Sequence, residues 1–306
     1  MYHFIINPAA RSGLGEHMWK KLEPLLKQRR ISYEAVFTRH QSHATKIAEE
    51  ITSDGDRHTL IVLGGDGTVN EVINGIVSLG QTELGYIPLG SSNDLARGLE
   101  LPSDPEKALF SILNAPARPV DIGCVRYGGR TRRFIVSSGF GFDASVCHQV
   151  MVSRLKPLLN RLHLGKLTYA GVALQLLFFL RPQNMQMILD GQEKISFHGV
   201  YFAAAMNLPF EGGGFKFCPH ADCRDGKLNI IVVSGLSKLK VLLLLPTAFF
   251  GLHTRFHGVH TYTRHSAEFL SAAELPVHTD GEPVLRQQRM MVRLENEKLL
   301  MKIINK

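Results

Sequence analysis

The stretch of sequence that decides the fold runs from Thr59 to Glu71 and reads TLIVLGGDGTVNE. Its first five residues, Thr59 to Leu63, have the pattern of a strand that is buried on both faces of a parallel sheet. The glycines that follow let the backbone adopt positive φ and approach a ligand closely. A helix from Thr68 offers free N–H groups and its positive dipole end to a phosphate. The stretch therefore predicts a strand–loop–helix unit with a phosphate-binding loop, although a purely structural turn fits the same residues.

Helix capping accounts for some of the side chains in this loop. Thr68 and Glu71 have the spacing of a capping box, which satisfies the first N–H groups of a helix. Capping does not explain Asp66, which lies between two glycines and is placed to contact Mg²⁺, a metal-bound water or a nucleotide. The loop is neither a Walker loop, because no Gly-Lys-Ser/Thr follows, nor a Gly-x-Gly-x-x-Gly motif.

The same rhythm extends to both sides of this loop. Strands are predicted at His3–Ile6, Tyr33–Thr38 and Gly85–Leu89, and apolar residues recur at helical spacing over about residues 15–30 and 42–52. Such alternation indicates an α/β unit whose ligand binds at the carboxyl ends of the strands.

A second polar loop, Gly90–Asp94, follows one strand later and reads GSSND. Ser91 fits the N-cap of the next helix, and Asp94 in the first turn would be stabilised by the helix dipole. Capping explains both residues. Since neighbouring parallel strands place their loops at one end of the sheet, a functional interpretation predicts that Gly90–Asp94 lies beside Gly64–Gly67.

From about residue 120 the pattern changes to short strands separated by turn residues, interrupted by a helical stretch at about 143–181. A chain of 306 residues exceeds the size at which one core usually stops growing. We expect an α/β domain over 1–128 and a β-rich domain over 129–306, whose last strands could return to the first domain. The later strand candidates are Val120–Arg126, Arg132–Ser138, Met185–Asp190, Val200–Met206, Leu228–Val233, Ala267–Leu270, Val277–Thr279, Arg289–Leu294 and Leu299–Ile304.

Charge and cysteine usage limit the classes of function. The 35 Lys+Arg against 27 Asp+Glu give a net charge of +8, which favours anionic partners or only aids solubility. No compact Arg/Lys stripe with interleaved aromatics is present, which disfavours nucleic-acid binding. The irregularly spaced Cys124, Cys147, Cys218 and Cys223 predict reduced thiols. Cys218 and Cys223 lack the second ligand pair of a structural zinc site.

Two apolar runs, Leu167–Leu180 and Val241–Thr254, are shorter than the ~18 residues expected of a membrane span. No signal peptide is visible, so a cytoplasmic location is expected. Runs flanked by basic residues either dock on anionic membrane surfaces or form core helices, and the sequence leaves both open. The flanking residues are Arg154, Lys156, Arg161 and Lys166 before the first run and Lys238 and Lys240 before the second.

A third candidate motif is Asp280-Gly281-Glu282. Taken alone, Asp-Gly favours a hairpin turn. Taken in order with the other motifs, it resembles the diacylglycerol kinase catalytic family, in its soluble bacterial lipid kinase branch. The motifs that carry the resemblance are Asn7-Pro8-x-x-x-Ser12-Gly13, Gly64–Glu71, Pro88–Asp94, Val120–Gly123, Gly212–Gly214, Pro219-x-Ala221-x-x-x-Asp225-Gly226 and Asp280–Glu282. Gly-Gly-Asp-Gly-Thr alone is shared with NAD kinases, whereas the ordered set is specific.

The resemblance implies an N-terminal α/β nucleotide domain, a C-terminal β-rich lipid domain and ATP in the cleft. It also implies that Asp66, Asp94 and Asp121 organise Mg²⁺ and its waters around the phosphates. The implied nucleotide-contacting set is Asn7, Pro8, Ser12, Gly13, Thr38, Gly64, Gly65, Asp66, Gly67, Thr68, Val69, Asn70, Glu71, Ser91, Asn93, Asp94 and Asp121. An extra residue in the first loop, Arg11, either adds a phosphate contact or is solvated.

The resemblance further assigns the catalytic base to Glu282, with Asp280 second, as acceptor of the proton from a lipid hydroxyl. A second, structural magnesium site would fall at Asp222, Asp225 and Lys227, where a plain turn is the alternative.

The implied reaction moves the γ-phosphate of ATP to a lipid hydroxyl, with diacylglycerol the leading acceptor. Such an enzyme would visit the membrane surface transiently; a homodimer is one option for its assembly. Other acceptors (a sphingoid base, ceramide, phosphatidylglycerol or NAD) and a non-catalytic nucleotide or lipid sensor are the alternatives.

Overall fold

The computed structural model describes residues 1–145 and 177–304. The chain divides into two compact units: Met1–Asp121 with Asn296–Lys306, and Ile122–Glu295. Residue 128, the limit expected from the sequence, falls inside the second unit, between two paired strands at Gly123–Tyr127 and Arg130–Phe134. Within the described ranges, no helix has the length and apolar character needed to span a membrane.

The first unit alternates strands and helices. Its elements are β1 (Tyr2–Ile6), α1 (Ala10–Gln28), β2 (Tyr33–Phe37), α2 (His43–Thr52), β3 (His58–Gly64), α3 (Asp66–Gly75), a 3-10 helix (Leu79–Gln81), β4 (Thr82–Pro88), α4 (Asp94–Gly98), α5 (Pro105–Asn114), β5 (Ala117–Val120) and β17 (Leu299–Lys302). The strand order is β2-β1-β3-β4-β17-β5. All neighbours are parallel except β5, which pairs antiparallel with β17.

Local sequence explains these elements. Leu60–Leu63 in β3 are fully buried, as expected for a central parallel strand. On α1, Trp19 packs against Phe4 of β1 with ring centroids 5.0 Å apart. Helix α5 begins with Pro105 after Asp104, whose Oδ1 accepts the N–H of Lys107 at 2.9 Å. Such a cap is worth about 1 kcal/mol.

The second unit is built on one antiparallel sheet of 11 strands. Its elements are β6 (Gly123–Tyr127), β7 (Arg130–Phe134), β8 (Ser137–Gly141), β9 (Gln183–Leu189), β10 (Glu193–Met206), β11 (Leu228–Ser234), α6 (Lys238–Ala248), a 3-10 helix (Leu252–Arg255), β12 (Val259–Arg264), β13 (Ser266–Leu275), β14 (Val277–Thr279), β15 (Glu282–Pro283) and β16 (Gln287–Leu294). The main path runs β15-β14-β8-β10-β9-β13-β16-β6-β7, and β11 pairs with β10 and β12.

Two predicted strands prove to be divided. Val120–Arg126 breaks at Asp121, where the chain passes from one unit to the other. Arg132–Ser138 breaks between β7 and β8 because the N–H groups of Ile135 and Val136 bond to a side chain, Asp280, and not to a neighbouring strand. Strand β12 was not predicted.

The second apolar run is only partly buried: Val241, Leu242 and Leu244 pack against a buried core cluster. It forms α6 and the 3-10 helix after it, and in α6 only Ala248 is buried. Leu239 and Leu243 are more than half exposed.

Several predictions fall wholly or partly outside the described residues. These are the helical stretch 143–181, the run Leu167–Leu180, Cys147, and the basic residues Arg154, Lys156, Arg161 and Lys166. The described cysteines Cys124, Cys218 and Cys223 are buried. Burial raises the pKa of the Cys218 thiol well above its usual range, which keeps the thiol protonated.

Candidate active site

The candidate nucleotide site lies at the carboxyl ends of four parallel strands. β1, β2, β3 and β4 are in register, so the residues that follow them share one edge of the sheet. Asn7 follows β1, Thr38 follows β2, Gly65 follows β3 and Leu89 follows β4. Leu89 N donates to the carbonyl of Gly64 at 2.7 Å. The two polar loops therefore lie side by side, which confirms that expectation.

The glycines of these loops are needed for close approach. Gly64, Gly65 and Gly67 do not have positive φ, contrary to expectation. A Cβ on Gly65 would lie 3.2 Å from the Cα of Gly90, and a Cβ on Gly90 would lie 2.9 Å from the Cα of Gly65. The two backbones thus pack directly against each other, and a side chain on either one would separate the loops.

Asp66 connects the two loops through hydrogen bonds. It begins α3, and its Oδ2 accepts the N–H of Asp94, the first residue of α4, at 2.9 Å. Its Oδ1 accepts from the Tyr86 hydroxyl at 3.3 Å, and that hydroxyl also lies 3.4 Å from Asn93 Oδ1. Burial, followed by the charge of Asp66, raises the pKa of Tyr86 well above its usual value, so the hydroxyl remains a donor. Sequence reasoning missed Tyr86; its only signal was a phenol in a buried strand, where a partner is expected.

Two capping assignments prove wrong. The helix starts at Asp66 and not at Thr68, so Thr68 is not its N-cap. Glu71 instead caps α2, since its carboxylate accepts the N–H groups of Ser42 at 2.8 Å and Ala44 at 3.2 Å. Ser91 does not cap α4 either, because the N-cap is Asn93, which has left-handed φ of 52°.

The other acidic residues predicted to organise Mg²⁺ carry cationic partners. Asp94 Oδ1 pairs with Arg97 Nη1 at 2.7 Å, and Asp121 Oδ1 pairs with Lys298 Nζ at 2.8 Å. Both carboxylates are buried. Asp66, Asp94 and Asp121 supply oxygen donors of the kind that Mg²⁺ prefers, which fits a role through bound water.

The first loop is tied to α3. Asn7 Nδ2 donates to Thr68 Oγ1 at 3.1 Å, and Asn7 Oδ1 accepts the N–H of Ala9 at 3.1 Å. A Cβ on Gly15 would collide with the carbonyl of Asn7, so Gly15 lets α1 pack onto this loop. No local pattern in the sequence indicated that role.

The remaining predicted contacts divide by exposure. Arg11 and Gly13 have positive φ (46° and 95°) in the first turn of α1, which also holds Ser12, and Pro8 precedes them. Arg11 is exposed to solvent. Val69 and Asn70 are fully buried in α3.

The catalytic candidates lie in the second unit, on the hairpin between β14 and β15. Asp280 and Gly281 both have positive φ (50° and 79°), and Thr279 pairs with Glu282 across the turn. The carboxylate of Asp280 accepts the backbone N–H groups of three residues at 2.8–3.2 Å: Ile135, Val136 and Ser137. Asp280 is therefore engaged in holding the turn, whereas Glu282 is half-buried at its end.

Comparison with known proteins identifies the family. The profile of the diacylglycerol kinase catalytic domain matches residues 1–125, and that of the YegS C-terminal NAD kinase beta sandwich-like domain matches residues 135–295. The chain is 31% identical over 287 residues to YtlR of Bacillus subtilis, a candidate lipid kinase, with 92% of this chain and 93% of YtlR covered. The chain belongs to the diacylglycerol kinase family. It is a lipid kinase, an enzyme class that uses ATP.

One further relative and two solved structures are also similar to this chain. Diacylglycerol kinase of Bacillus subtilis is 30% identical over 290 residues, covering 91% of this chain and 88% of that protein. A crystal structure of a diacylglycerol kinase from Bacillus anthracis superposes with a TM-score of 0.72 at 21% identity, over 99% of this chain and 96% of that one. An NAD kinase from Archaeoglobus fulgidus in complex with ATP shares the fold, with a TM-score of 0.53 at 12% identity over 98% and 93% of the two chains.

The second metal site predicted for this diacylglycerol kinase family member lies in a single turn. Asp225 N donates to the carbonyl of Asp222 at 3.4 Å, and Asp225 Oδ1 accepts the N–H of Lys227 at 2.9 Å. Asp222 pairs with Arg224 at 3.0 Å. These bonds close the turn without an ion, so a metal here stays a prediction.

A buried polar cluster in the second unit was missed altogether. Asp143, Glu211 and His278 bring their side-chain ligand atoms within 4.8 Å of one another. They are separated by 68 and 67 positions in the chain, and they follow no motif, so no local pattern could have joined them.

Proposed function

We propose that this lipid kinase transfers the γ-phosphate of ATP to the hydroxyl of diacylglycerol, releasing ADP and forming phosphatidate. The observation that carries the proposal is the shared edge of β1, β2, β3 and β4, where two glycine loops pack together and Asp66 connects them. The positive dipole end of α3 at this edge suits an anionic phosphate. Relatives named diacylglycerol kinase support the choice of acceptor.

Each set of residues has a separate role in the proposed reaction. The loops after β1, β3 and β4 bind and orient the nucleotide phosphates. Asp66, Asp94 and Asp121 would hold Mg²⁺ through water, and the ion would offset charge on the phosphoryl oxygens. We assign the proton of the acceptor hydroxyl to the Glu282 carboxylate, because the carboxylate of Asp280 already accepts three backbone N–H groups.

We also propose that the enzyme docks on anionic membranes through a surface that we call the α6 patch. It is defined by large apolar side chains that are exposed in α6 and the segments beside it: Phe178, Phe179, Leu239, Leu243, Phe249, Phe250, Leu252 and Phe256. Lys238 and Lys240 lie at the start of α6, and Lys238 Nζ donates to the carbonyl of Phe178. Apolar surface beside cations matches an anionic headgroup layer over an acyl layer.

The reaction is tested by phosphate transfer from labelled ATP with Mg²⁺ to lipids in mixed micelles. The panel includes diacylglycerol, a sphingoid base, ceramide and phosphatidylglycerol. We expect label on diacylglycerol, and a loss of about 100-fold or more in Glu282→Gln. The matched control is Glu274→Gln, an exposed glutamate of the same unit, which should retain activity. Label on another lipid alone would refute diacylglycerol as the acceptor. Full activity in Glu282→Gln would refute Glu282 as the catalytic base.

The α6 patch is tested by co-sedimentation with vesicles. Binding should be stronger to vesicles that contain an anionic phospholipid than to purely zwitterionic ones, and Leu243→Ser with Phe250→Ser should abolish it. Val77→Ser, at an exposed apolar residue of the first unit, is the control. Equal binding by the patch variant and the wild type would eliminate this surface.

A further inference from the structure

Asp143, Glu211 and His278 form a cluster of titratable groups inside the second unit. Asp143 follows β8, Glu211 follows β10 and His278 lies in β14; the exposed fractions of the three residues are 8%, 5% and 0%. The Nε2 atom of His278 lies 3.2 Å from Asp143 Oδ2 and 2.9 Å from Glu211 Oε1. A Cβ on Gly139 would collide with both Asp143 and His278, so Gly139 provides the space that the cluster occupies.

The hydrogen bonds of the ring determine which nitrogen carries the proton. The backbone N–H of Gly281 donates to His278 Nδ1 at 3.2 Å, so Nδ1 acts as an acceptor. In a neutral imidazole the other nitrogen is then the donor. The hydrogen on Nε2 therefore points at the two carboxylates.

This tautomer leaves an excess of negative charge in the cluster. Two ionised carboxylates beside a neutral ring would be costly in a buried site. Burial raises the pKa of Asp143, the hydrogen bond to His278 opposes the shift, and the charge of Glu211 adds to it. Asp143 Oδ1 accepts the N–H of Ala144 at 2.8 Å, whereas Glu211 Oε2 has no hydrogen-bond partner among the described residues. The cluster is thus suited to hold one additional proton on one of its two carboxyl groups.

A bound cation is the other way to balance the negative charge of two carboxylates, but the hydrogen bonding of the His278 ring does not fit a metal ligand. A metal bound by this ring through Nε2 needs the lone pair of that nitrogen, with the hydrogen on Nδ1 directed at an acceptor. Here Nδ1 receives a hydrogen from Gly281. The orientation of this one N–H group therefore favours an added proton over a metal ion.

The same N–H group links the cluster to the proposed catalytic turn, because Gly281 lies between Asp280 and Glu282. We propose that Asp143, Glu211 and His278 are positioning residues. The two carboxyl groups accept the hydrogen of His278 Nε2 and so favour the tautomer in which Nδ1 accepts from Gly281. This hydrogen bond holds Gly281 so that Glu282 leaves the turn in its catalytic direction. Asp280 is held separately, through Ile135, Val136 and Ser137. The catalytic part of this inference rests on the proposed role of Glu282.

Two substitutions at His278 test the hydrogen bonds of its two ring nitrogens separately. Asn places an oxygen near the position of Nδ1 and keeps an acceptor for Gly281, whereas Gln places a nitrogen near Nε2 and keeps only the donor to the carboxylates. We expect His278→Gln to lower kcat by about tenfold or more with little change in KM for ATP, and His278→Asn to lower it less. Equal losses in the two variants, or a change in KM alone, would overturn the positioning role.

The tautomer itself is measured in the wild-type enzyme, without reference to catalysis. In nitrogen-15 NMR spectra of the histidine rings, the ring of His278 should show the Nε2–H tautomer. That signal should be missing in His278→Asn. Detection of the Nδ1–H tautomer at His278 would overturn the inference. So would a stoichiometric divalent metal in the purified enzyme that is lost in Asp143→Asn.

These readouts distinguish a failed inference from a failed function. If Glu282→Gln retains full activity while the ring shows the predicted tautomer, the base assignment fails and the cluster acts only on the structure of the turn. If Glu282→Gln is inactive and the tautomer is wrong, the proposed function stands and the positioning inference is refuted.

Discussion

Replacement of Asp280 by Ala should destabilise the second unit through the backbone between β7 and β8. The carboxylate accepts the N–H groups of Ile135, Val136 and Ser137, which are all buried. A buried donor left without an acceptor costs about 1 kcal/mol or more, so three of them cost about 3 kcal/mol. The φ of 50° at this position disfavours Ala by about 1 kcal/mol further.

Asp280→Asn provides the graded comparison. Asn keeps an acceptor oxygen and tolerates left-handed φ, so a smaller loss, of about 1–2 kcal/mol, is expected. The control is Asp225→Ala, where the carboxylate accepts a single exposed N–H, from Lys227, and the expected loss is below about 0.5 kcal/mol.

Urea denaturation followed by far-UV circular dichroism measures these differences in the free energy of unfolding. Trp19 is the single tryptophan and lies in the first unit, so its fluorescence tests whether the change stays in the second unit. Faster amide exchange at residues 135–137 in Asp280→Ala would show that the destabilisation lies in the backbone between β7 and β8. A free energy of unfolding within about 0.5 kcal/mol of the wild type would refute the reasoning.

Three further predictions concern single carboxylates. Asp66→Asn weakens the acceptor that joins the two glycine loops and should reduce kinase activity by about 100-fold. Tyr86→Phe keeps the carboxylate of Asp66 and should reduce kinase activity by less than about tenfold. Equal losses of activity in the two variants would contradict this prediction. Glu71→Gln weakens the charge-assisted cap of α2 and should cost about 1 kcal/mol in urea denaturation; unchanged stability would show that the cap is not needed. The raised pKa of Asp143 means that the folded state binds more protons than the unfolded state, so its contribution to stability is present below about pH 4 and is lost as pH rises through the raised value. Asp143→Asn should flatten that part of the pH profile of unfolding, and an unchanged slope would contradict it.

The sequence predicted what depends on local pattern and on the geometry of parallel sheets. Leu60–Leu63 identified β3, and the rule that neighbouring parallel strands share a loop edge placed Gly90 beside Gly65. The order of the motifs indicated the family, which the comparisons confirm. Each of these inferences uses neighbours in the chain or a rule that holds for all such sheets.

The partners of individual polar side chains could not be predicted in this way. Thr68 and Glu71 have the spacing of a capping box, yet Glu71 caps the start of α2 through N–H groups 29 and 27 residues earlier in the chain. Asp280 satisfies N–H groups more than 140 residues away and thereby divides a predicted strand. Such choices depend on which backbone groups are left unsatisfied after the sheet has formed, and a single sequence does not state this.

The position of β17 has a consequence for how the protein is made. Leu300 and Met301 pair with Glu83 and Leu84 of β4 on one side, while Leu299–Lys302 pair with β5 on the other. The strand that fills the gap between β4 and β5 is thus translated after the whole of the second unit, which is an insertion in the first. During synthesis on the ribosome, β4 keeps an unpaired edge until residues 299–302 emerge, and exposed edges invite pairing with other chains. A fragment that ends at residue 121 would keep that edge permanently, so the nucleotide unit is best produced with its C-terminal strand joined back by a short linker.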